Sequence, residues 1–245
     1  MNVNSTLKKL KELKLHGMHK AFEAAINSRE NQSLTADEIL THLVEAEHNY
    51  RETIKIKNNI YRAKFRYTSS VEEINFSQSR NLNKNQFMRL ADCSYIDKKE
   101  NIIITGATGV GKSYLASALG NQACTKGYKV RYYNMTKLFS SLKMSKADNT
   151  YLKEIGRIEK QDLLILDDFG LHPIDPATRL ALLEIIEDRH AKSSTIIASQ
   201  VPVLKWHELL GEQTVADAIL DRIVHSSQRI ELLGESLRKK QAKTT

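Results

Sequence analysis

Hydrophobic and polar positions change rhythm once along this chain. Up to about residue 68, apolar residues recur at helical spacing, as in Leu7, Leu10, Met18, Phe22, Ala25 and Ile26, with lysines between them. Thr35-Ala36-Asp37-Glu38 reads as a capping box, in which Thr and Glu satisfy each other's orphan amides. It opens a helix with Ile39, Leu40, Leu43 and Val44 on one face. A separate helix over about 50–67 carries Arg51, Lys55, Lys57, Arg62, Lys64 and Arg66 against one acid, Glu52, with Ile54, Ile60, Tyr61 and Phe65 as its apolar stripe. No strand pattern occurs here, so residues 1–68 are predicted to form a small all-helical N-terminal domain that serves partner or subunit contacts. Residues 69–99 are polar and rich in Asn and Ser, with isolated Phe76, Phe87 and Leu90. They read as a linker and lead-in to a second domain over 100–245.

From residue 101 short apolar runs alternate with amphipathic stretches. Strands are predicted at 101–105, 129–133, 162–167, 194–199 and 228–232. Helices are predicted near 112–126, 136–145, 149–160, 176–192, 203–210 and 214–226. That alternation means an α/β fold with a parallel five-stranded sheet covered on both faces.

Composition narrows the class. With 245 residues, one core plus an appendage is expected. Two cysteines, Cys93 and Cys124, cannot build a disulfide framework and match no zinc spacing, which favours a reducing cytosol. No apolar run reaches the roughly 18 residues of a membrane span, and the N-terminus lacks a secretory apolar stretch. The net charge of +8, from 37 basic against 29 acidic residues, points to an anionic partner without naming it.

The chemistry begins at Gly106-Ala107-Thr108-Gly109-Val110-Gly111-Lys112-Ser113, which meets G-x-x-x-x-G-K-[ST] at every fixed position. A predicted strand precedes it and a predicted helix, carrying Tyr114 in its first turn, follows. Glycines let successive amides face phosphates, and the helix N-terminus adds its positive end. Lys112 would reach the β- and γ-phosphates of ATP, and the Ser113 hydroxyl would coordinate Mg²⁺. In Leu163-Leu164-Ile165-Leu166-Asp167-Asp168 an apolar strand ends in acids at the sheet edge where ligands of open α/β sheets bind. Asp167 is the candidate second Mg²⁺ ligand, and Asp168 the group that orients or deprotonates the attacking water. A third strand, Thr195-Ile196-Ile197-Ala198-Ser199-Gln200, brings Ser199 or Gln200 as a polar contact to the γ-phosphate, or else is an ordinary strand end.

Two rival readings fail on order and context. Asp167-Asp168-Phe169-Gly170 fits the D-x-x-G of GTPases, but the candidate base-reading Ser145-Lys146-Ala147-Asp148 precedes it instead of following it. Asp168-Phe169-Gly170 spells the kinase D-F-G, yet no H-R-D loop lies upstream and the glycine loop is a P-loop.

The succession GATGVGKS, LLILDDFG, TIIASQ, Ala216-Asp217-Ala218-Ile219-Leu220-Asp221-Arg222 and Gly234-Glu235-Ser236-Leu237-Arg238 resembles the IstB family, AAA+ ATPases encoded by bacterial insertion sequences beside a transposase. Leu15-His16-Gly17-Met18 resembles that family's opening helix. The likeness covers nearly the whole chain; a more distant one is to the DnaC/DnaI helicase loaders. It implies an initiator-type AAA+ fold, a three-layer sandwich. It also implies Arg222 as an arginine finger completing a neighbouring subunit's site, and Arg238 as a sensor arginine at its own. From the residues alone, Arg222 reads as a surface ion-pair member and Arg238 as part of the basic tail Arg238-Lys239-Lys240. The second acid here is Asp168, where many AAA+ proteins carry Glu; a shorter acid stands farther from the water, so slow turnover is expected.

The resemblance places a DNA-contacting helix over 136–145, where Lys137, Lys143 and Lys146 suit phosphate contact without reading sequence; the plain alternative is a solvated face. Arg51, Lys55 and Arg62 form a second basic candidate. The implied function is that of a cytosolic, nucleoid-associated ATPase that uses ATP and Mg²⁺. It would form a homo-oligomeric ring or spiral on duplex DNA and assist a transposase in target choice. A DnaC-like helicase loader and a P-loop small-molecule kinase are the alternatives.

Overall fold

A computed structural model of the chain describes residues 3–27, 34–76 and 80–237. It divides into two compact units, Met1–Asn58 and Asn59–Thr245.

The first unit holds α1 (Val3–Glu12), α2 (His16–Asn27) and most of α3 (Ala36–Ala63). The capping box is formed: Thr35 N and Oγ1 donate to Glu38 Oε2 at 2.7 and 2.9 Å, and Glu38 N donates back to Thr35 Oγ1 at 3.3 Å. Helices α2 and α3 cross closely at Gly17, where a Cβ would lie 2.4 Å from the Ala46 carbonyl oxygen. Glu47, nearly buried, accepts from Gly17 N at 2.7 Å and Met18 N at 3.2 Å, satisfying orphan amides of α2. The helix expected over 50–67 is not separate. Helix α3 runs unbroken for 28 residues. The change from mixed to basic composition near residue 50 alters its charge, and no Gly, Pro or cap interrupts it.

The second unit is built on strands β1 (Asn101–Gly106), β2 (Val130–Asn134), β3 (Leu163–Phe169), β4 (Ser194–Ser199) and β5 (Ser227–Leu232). All pair in parallel, in the order β2-β3-β4-β1-β5. Period-two alternation splits the strands between two cores. Ile102, Ile104, Leu163, Ile165 and Ile196 face one cluster, whereas Ile103, Leu164, Leu166 and Ile197 face the other. Helix α6 (Lys112–Thr125) covers the first face. Helices α7 (Met135–Ala147), α8 (Tyr151–Glu159), α9 (Pro176–Arg189), α10 (Trp206–Leu210) and α11 (Gln213–Val224) pack on the second. All five expected strands are present.

The segment 69–99 contributes more than a link. It contains α4 (Lys84–Ala91), capped by Asn83, which accepts from Gln86 N at 3.0 Å, and the short α5 (Ser94–Asp97). Phe87, Leu90, Tyr95 and Ile96 are buried in the first core beside Val71 and Ile74. The polar residues between these anchors face solvent and conceal them in the sequence. Cys93 and Cys124 are free and buried, and burial pushes their thiols up to about 11 and about 12, which makes them unreactive.

Candidate nucleotide site

The glycine-rich loop joins β1 to α6 as the motif requires. Gly111 is the N-cap of α6 with φ +103°, a region that favours glycine. A Cβ there would also lie 2.9 Å from Nη1 of Arg80. Gly109, at φ +84°, admits a still closer neighbour: a Cβ would lie 2.1 Å from Ser236 Oγ, and Leu237 N donates to Gly109 O at 3.0 Å. The Ser236-Leu237 end of the G-E-S-L-R motif therefore packs on the phosphate loop. Arg238 lies outside the described residues.

Lys112 is nearly buried, and Nζ donates to the carbonyls of Gly106 and Ala107 at 2.7 Å each. Burial lowers its pKa, against the pull of Asp167 and Asp168. The lysine and both acids thus share one electrostatic neighbourhood, although they are 55 and 56 positions apart.

The acidic pair sits at a break in the sheet. The β3–β4 register shifts between Leu166 and Phe169, and Asp168 adopts φ +60°, uncommon for a residue other than glycine. The shift re-aims Asp168 away from ordinary strand alternation. Its Oδ2 accepts from Asn134 Nδ2 at 2.7 Å and Arg66 Nη1 at 3.0 Å. Asp167 is fully buried; Oδ1 accepts from Asp168 N at 2.9 Å, and Oδ2 from the Tyr132 hydroxyl and from Arg66 Nη1 at 3.5 Å. Burial and Asp167 both push the Tyr132 hydroxyl up, so it stays protonated and donates. Burial alone would lower Arg66, but Tyr67, Tyr132 and the two carboxylates hold its guanidinium above its ordinary value.

Other expected members separate into two groups. Gln200 joins the site: its Oε1 accepts from Thr108 Oγ1 at 2.6 Å, linking the end of β4 to the phosphate loop. Ser199 is turned inward; its hydroxyl donates to Phe169 O at 2.8 Å and accepts from Val201 N at 3.0 Å. Tyr114 directs its hydroxyl to Glu73 at 2.9 Å. Arg222 donates to Ala218 O at 2.8 Å and pairs with Glu187 at 2.9 Å. Its carbonyl accepts from Asn101, the first residue of β1, at 3.2 Å. The phosphate loop begins at the other end of that six-residue strand, roughly 20 Å away at the usual rise.

The donors fit Mg²⁺. One hydroxyl, Ser113, and one buried carboxylate, Asp167, are hard oxygen ligands of the kind that Mg²⁺ takes in ones and twos beside substrate phosphates. Among the described residues no cluster of three or more His, Cys, Asp or Glu forms a protein-only cage.

Four participants escaped the motif reading: Arg66, Tyr132, Asn134 and Arg80. Arg80 is buried against the loop, with Nη1 donating to Val110 O at 3.3 Å and Nη2 to Asn75 O at 2.9 Å. Burial lowers its pKa. Only Asn134 carried a readable signal, a polar residue ending a strand.

The basic candidates are dispersed. Lys143 is bound to Asp175 at 2.8 Å, and Lys146 lies 4.7 Å from the centre of the Tyr151 ring. Arg51 pairs with Glu47 and Lys55 with Glu52. Lys137 and Arg62 are exposed.

A phosphate loop and an acidic strand separated by one intervening strand, β4, define a P-loop nucleotide-binding protein of AAA+ architecture. The model of the IstB-like ATP binding protein family matches residues 8–245, and the chain belongs to that family. It is 42% identical over 241 residues to the insertion sequence ATP-binding protein y4pL of Sinorhizobium fredii (strain NBRC 101917 / NGR234), covering 98% of each chain. It is 35% identical over 203 residues to the insertion sequence IS1162 ATP-binding protein of Pseudomonas fluorescens, covering 82% of this chain and 88% of that one. In fold it resembles DnaI, with a TM-score of 0.59 at 21% identity over 72% of this chain and 94% of that one. AMPPCP-bound DnaA from Aquifex aeolicus gives 0.56 at 20% identity over 74% and 56%. No helix among the described residues is long and apolar enough to cross a membrane.

Proposed function

We propose that this chain is an ATP- and Mg²⁺-dependent ATPase that oligomerises on duplex DNA with little sequence preference. In this reading it assists the transposase of its insertion sequence in choosing a target. The observation that carries the nucleotide part is the meeting of Lys112, Asp167, Asp168 and Gln200 at one end of the sheet. Loop amides and the α6 N-terminus bind the phosphates, and Lys112 exchanges its two carbonyl partners for phosphate oxygens. Ser113 and Asp167 hold Mg²⁺, which when bound neutralises phosphate charge. Asp168 positions the attacking water once its contacts with Arg66 and Asn134 loosen. Gln200 and Thr108 flank the γ-phosphate.

Arg222 acts on a neighbouring subunit, a role supported by its position one strand length from the phosphate loop of its own chain. A guanidinium is always ionised and neutralises developing phosphoryl charge. ATP bound between subunits thereby ties nucleotide state to assembly. Partner or subunit contacts fall to the N-terminal unit, which exposes Leu13, Ile26, Leu40, Val44 and Ile54. Names of relatives carry the insertion-sequence setting, and the transposase is the partner that this setting supplies.

The test is complementation. Lys112→Ala and Arg222→Ala variants are each expected to lose DNA-stimulated ATP turnover, and mixing them is expected to restore part of it. No recovery on mixing, with both proteins folded, would overturn the shared site.

A further inference from the structure

We infer that a second, unassigned nucleic-acid contact lies in the groove between the last turn of α3, the open edge of β2 and helix α8, and that it takes the phosphate backbone of duplex DNA. This inference rests on the DNA-binding reading above and extends it to residues that no motif marks.

The groove has a volume of about 310 Å³ and is lined by Arg62, Lys129, Arg131, Tyr133, Glu154 and Arg157, among others. Strand β2 ends the sheet, with β3 on one side only. Alternation turns Val130 and Tyr132 into the core, so Arg131 and Tyr133 fall on the other face. Arg131 is fixed there: Nη1 donates to Arg62 O at 2.6 Å, and its guanidinium carbon lies 5.1 Å from the centre of the Tyr133 ring. Its Nε is buried and has no hydrogen-bond partner. With Nε enclosed and Nη1 spent on the Arg62 carbonyl, the side chain is held in one pose at the groove.

Charge points the same way. Four lining cations face one lining acid, Glu154, which Arg157 already binds. The neighbouring Asp162 spends a carboxylate oxygen on Lys129 N at 2.7 Å. Among the described residues Arg62, Lys129 and Arg131 have no ion-pair partner. Two of the three lysines of α7 differ, since Lys143 is held by Asp175 and Lys146 by Tyr151. Uncompensated cations repel one another, and a polyanion relieves that repulsion while releasing its own counterions. Guanidinium forks suit phosphate oxygens, and cations drawn from three elements suit a run of phosphates.

The test is the salt dependence of binding to a random-sequence duplex by the full-length chain at saturating ATP, read by fluorescence anisotropy. Each phosphate contact contributes about 0.9 to the slope of log affinity against log salt, so the double variant Arg62→Gln/Lys129→Gln should lower the slope by about 1.8. Arg131→Lys, which keeps the charge, should leave the slope unchanged, and Arg131→Gln should lower it by about 0.9. The control Lys192→Gln/Lys205→Gln removes equal charge from exposed positions elsewhere and should match wild type. If Arg131→Gln fails to fold, the double variant still decides, because its two side chains lie at the surface. A double variant with the wild-type slope would overturn the groove while leaving DNA binding intact. Polyglutamate competing as well as duplex would also overturn it, in favour of an acidic protein partner. A wild-type chain that binds no duplex would overturn the DNA reading itself.

Discussion

Removing the guanidinium of Arg66 is expected to make the acidic pair easier to load with a divalent cation. Arg66 stands 3.0 Å from Asp168 and 3.5 Å from Asp167, on the carboxylates that Mg²⁺ would approach. The acids are largely enclosed, with side chains 17% and 1% exposed, whereas that of Arg66 is 41% exposed. A pair near a protein surface attracts by about 4 kcal/mol at 4 Å before solvation is counted. Measured exposed pairs retain roughly 0.2–1 kcal/mol, so about 1 kcal/mol is a fair value for this half-exposed contact. A cation that displaces Arg66 forfeits that energy. In Arg66→Gln the Mg²⁺ concentration giving half-maximal binding of a fluorescent ATP analogue should therefore fall about fivefold. Arg66→Lys keeps the charge but loses the fork, and should fall between the two. Thermal melts of both variants should stay within about 1 kcal/mol of wild type. An unchanged or higher Mg²⁺ midpoint in Arg66→Gln would refute the reasoning and make Arg66 a structural partner of the acids.

Four further outcomes follow from named positions. Gly111→Ala forces a side chain into φ +103° and against Arg80, so ATP affinity measured by titration should fall by about tenfold, as for roughly 1–2 kcal/mol of strain. Gly156→Ala, on α8 with nothing within 4 Å, should instead stabilise the fold by about 0.4–1 kcal/mol. Arg189 is buried and donates to the carbonyls of Ile158, Gln161 and Ser194, so Arg189→Ala should cost about 3 kcal/mol in urea unfolding, where surface Arg157→Ala costs about 0.5 or less. For Glu47, burial pushes the carboxyl up, but Arg51 and the amides of Met18 and Gly17 outweigh it and hold it below its ordinary 4.5. Its stabilisation is therefore complete above pH 4.5 and is lost as pH falls through the lower folded value. Glu47→Gln should cost about 1.5 kcal/mol in neutral-pH melts and markedly less near pH 3.

Much of this molecule is legible in its sequence because local and tertiary preferences agree. Ile102, Ile103 and Ile104 form a continuous apolar run because both faces of β1 are covered, and the phosphate loop is a contiguous motif whose geometry is set by its own glycines. Legibility ends where partners are distant. Arg66 meets Asp168 across 102 positions, and no periodicity marks such a pair. The register shift that turns Asp168 toward Asn134 is a property of the β3–β4 ladder, so alternation in β3 alone does not reveal it. Ser199 and Gln200 were interchangeable as polar residues at a strand end; burial of one hydroxyl against Phe169 O separates them. Phe87 and Leu90 were visible as isolated apolars, but their helix was masked by the polar residues around them.

The proposed control of DNA assembly by ATP is tested most directly by electron microscopy of the full-length chain on random-sequence duplex with ATP, with ADP and without nucleotide. Ordered oligomers on the duplex with ATP alone, lost in Lys112→Ala, are the predicted result. Equal decoration of the duplex in all three conditions, or a chain that stays monomeric with ATP and DNA, would contradict it.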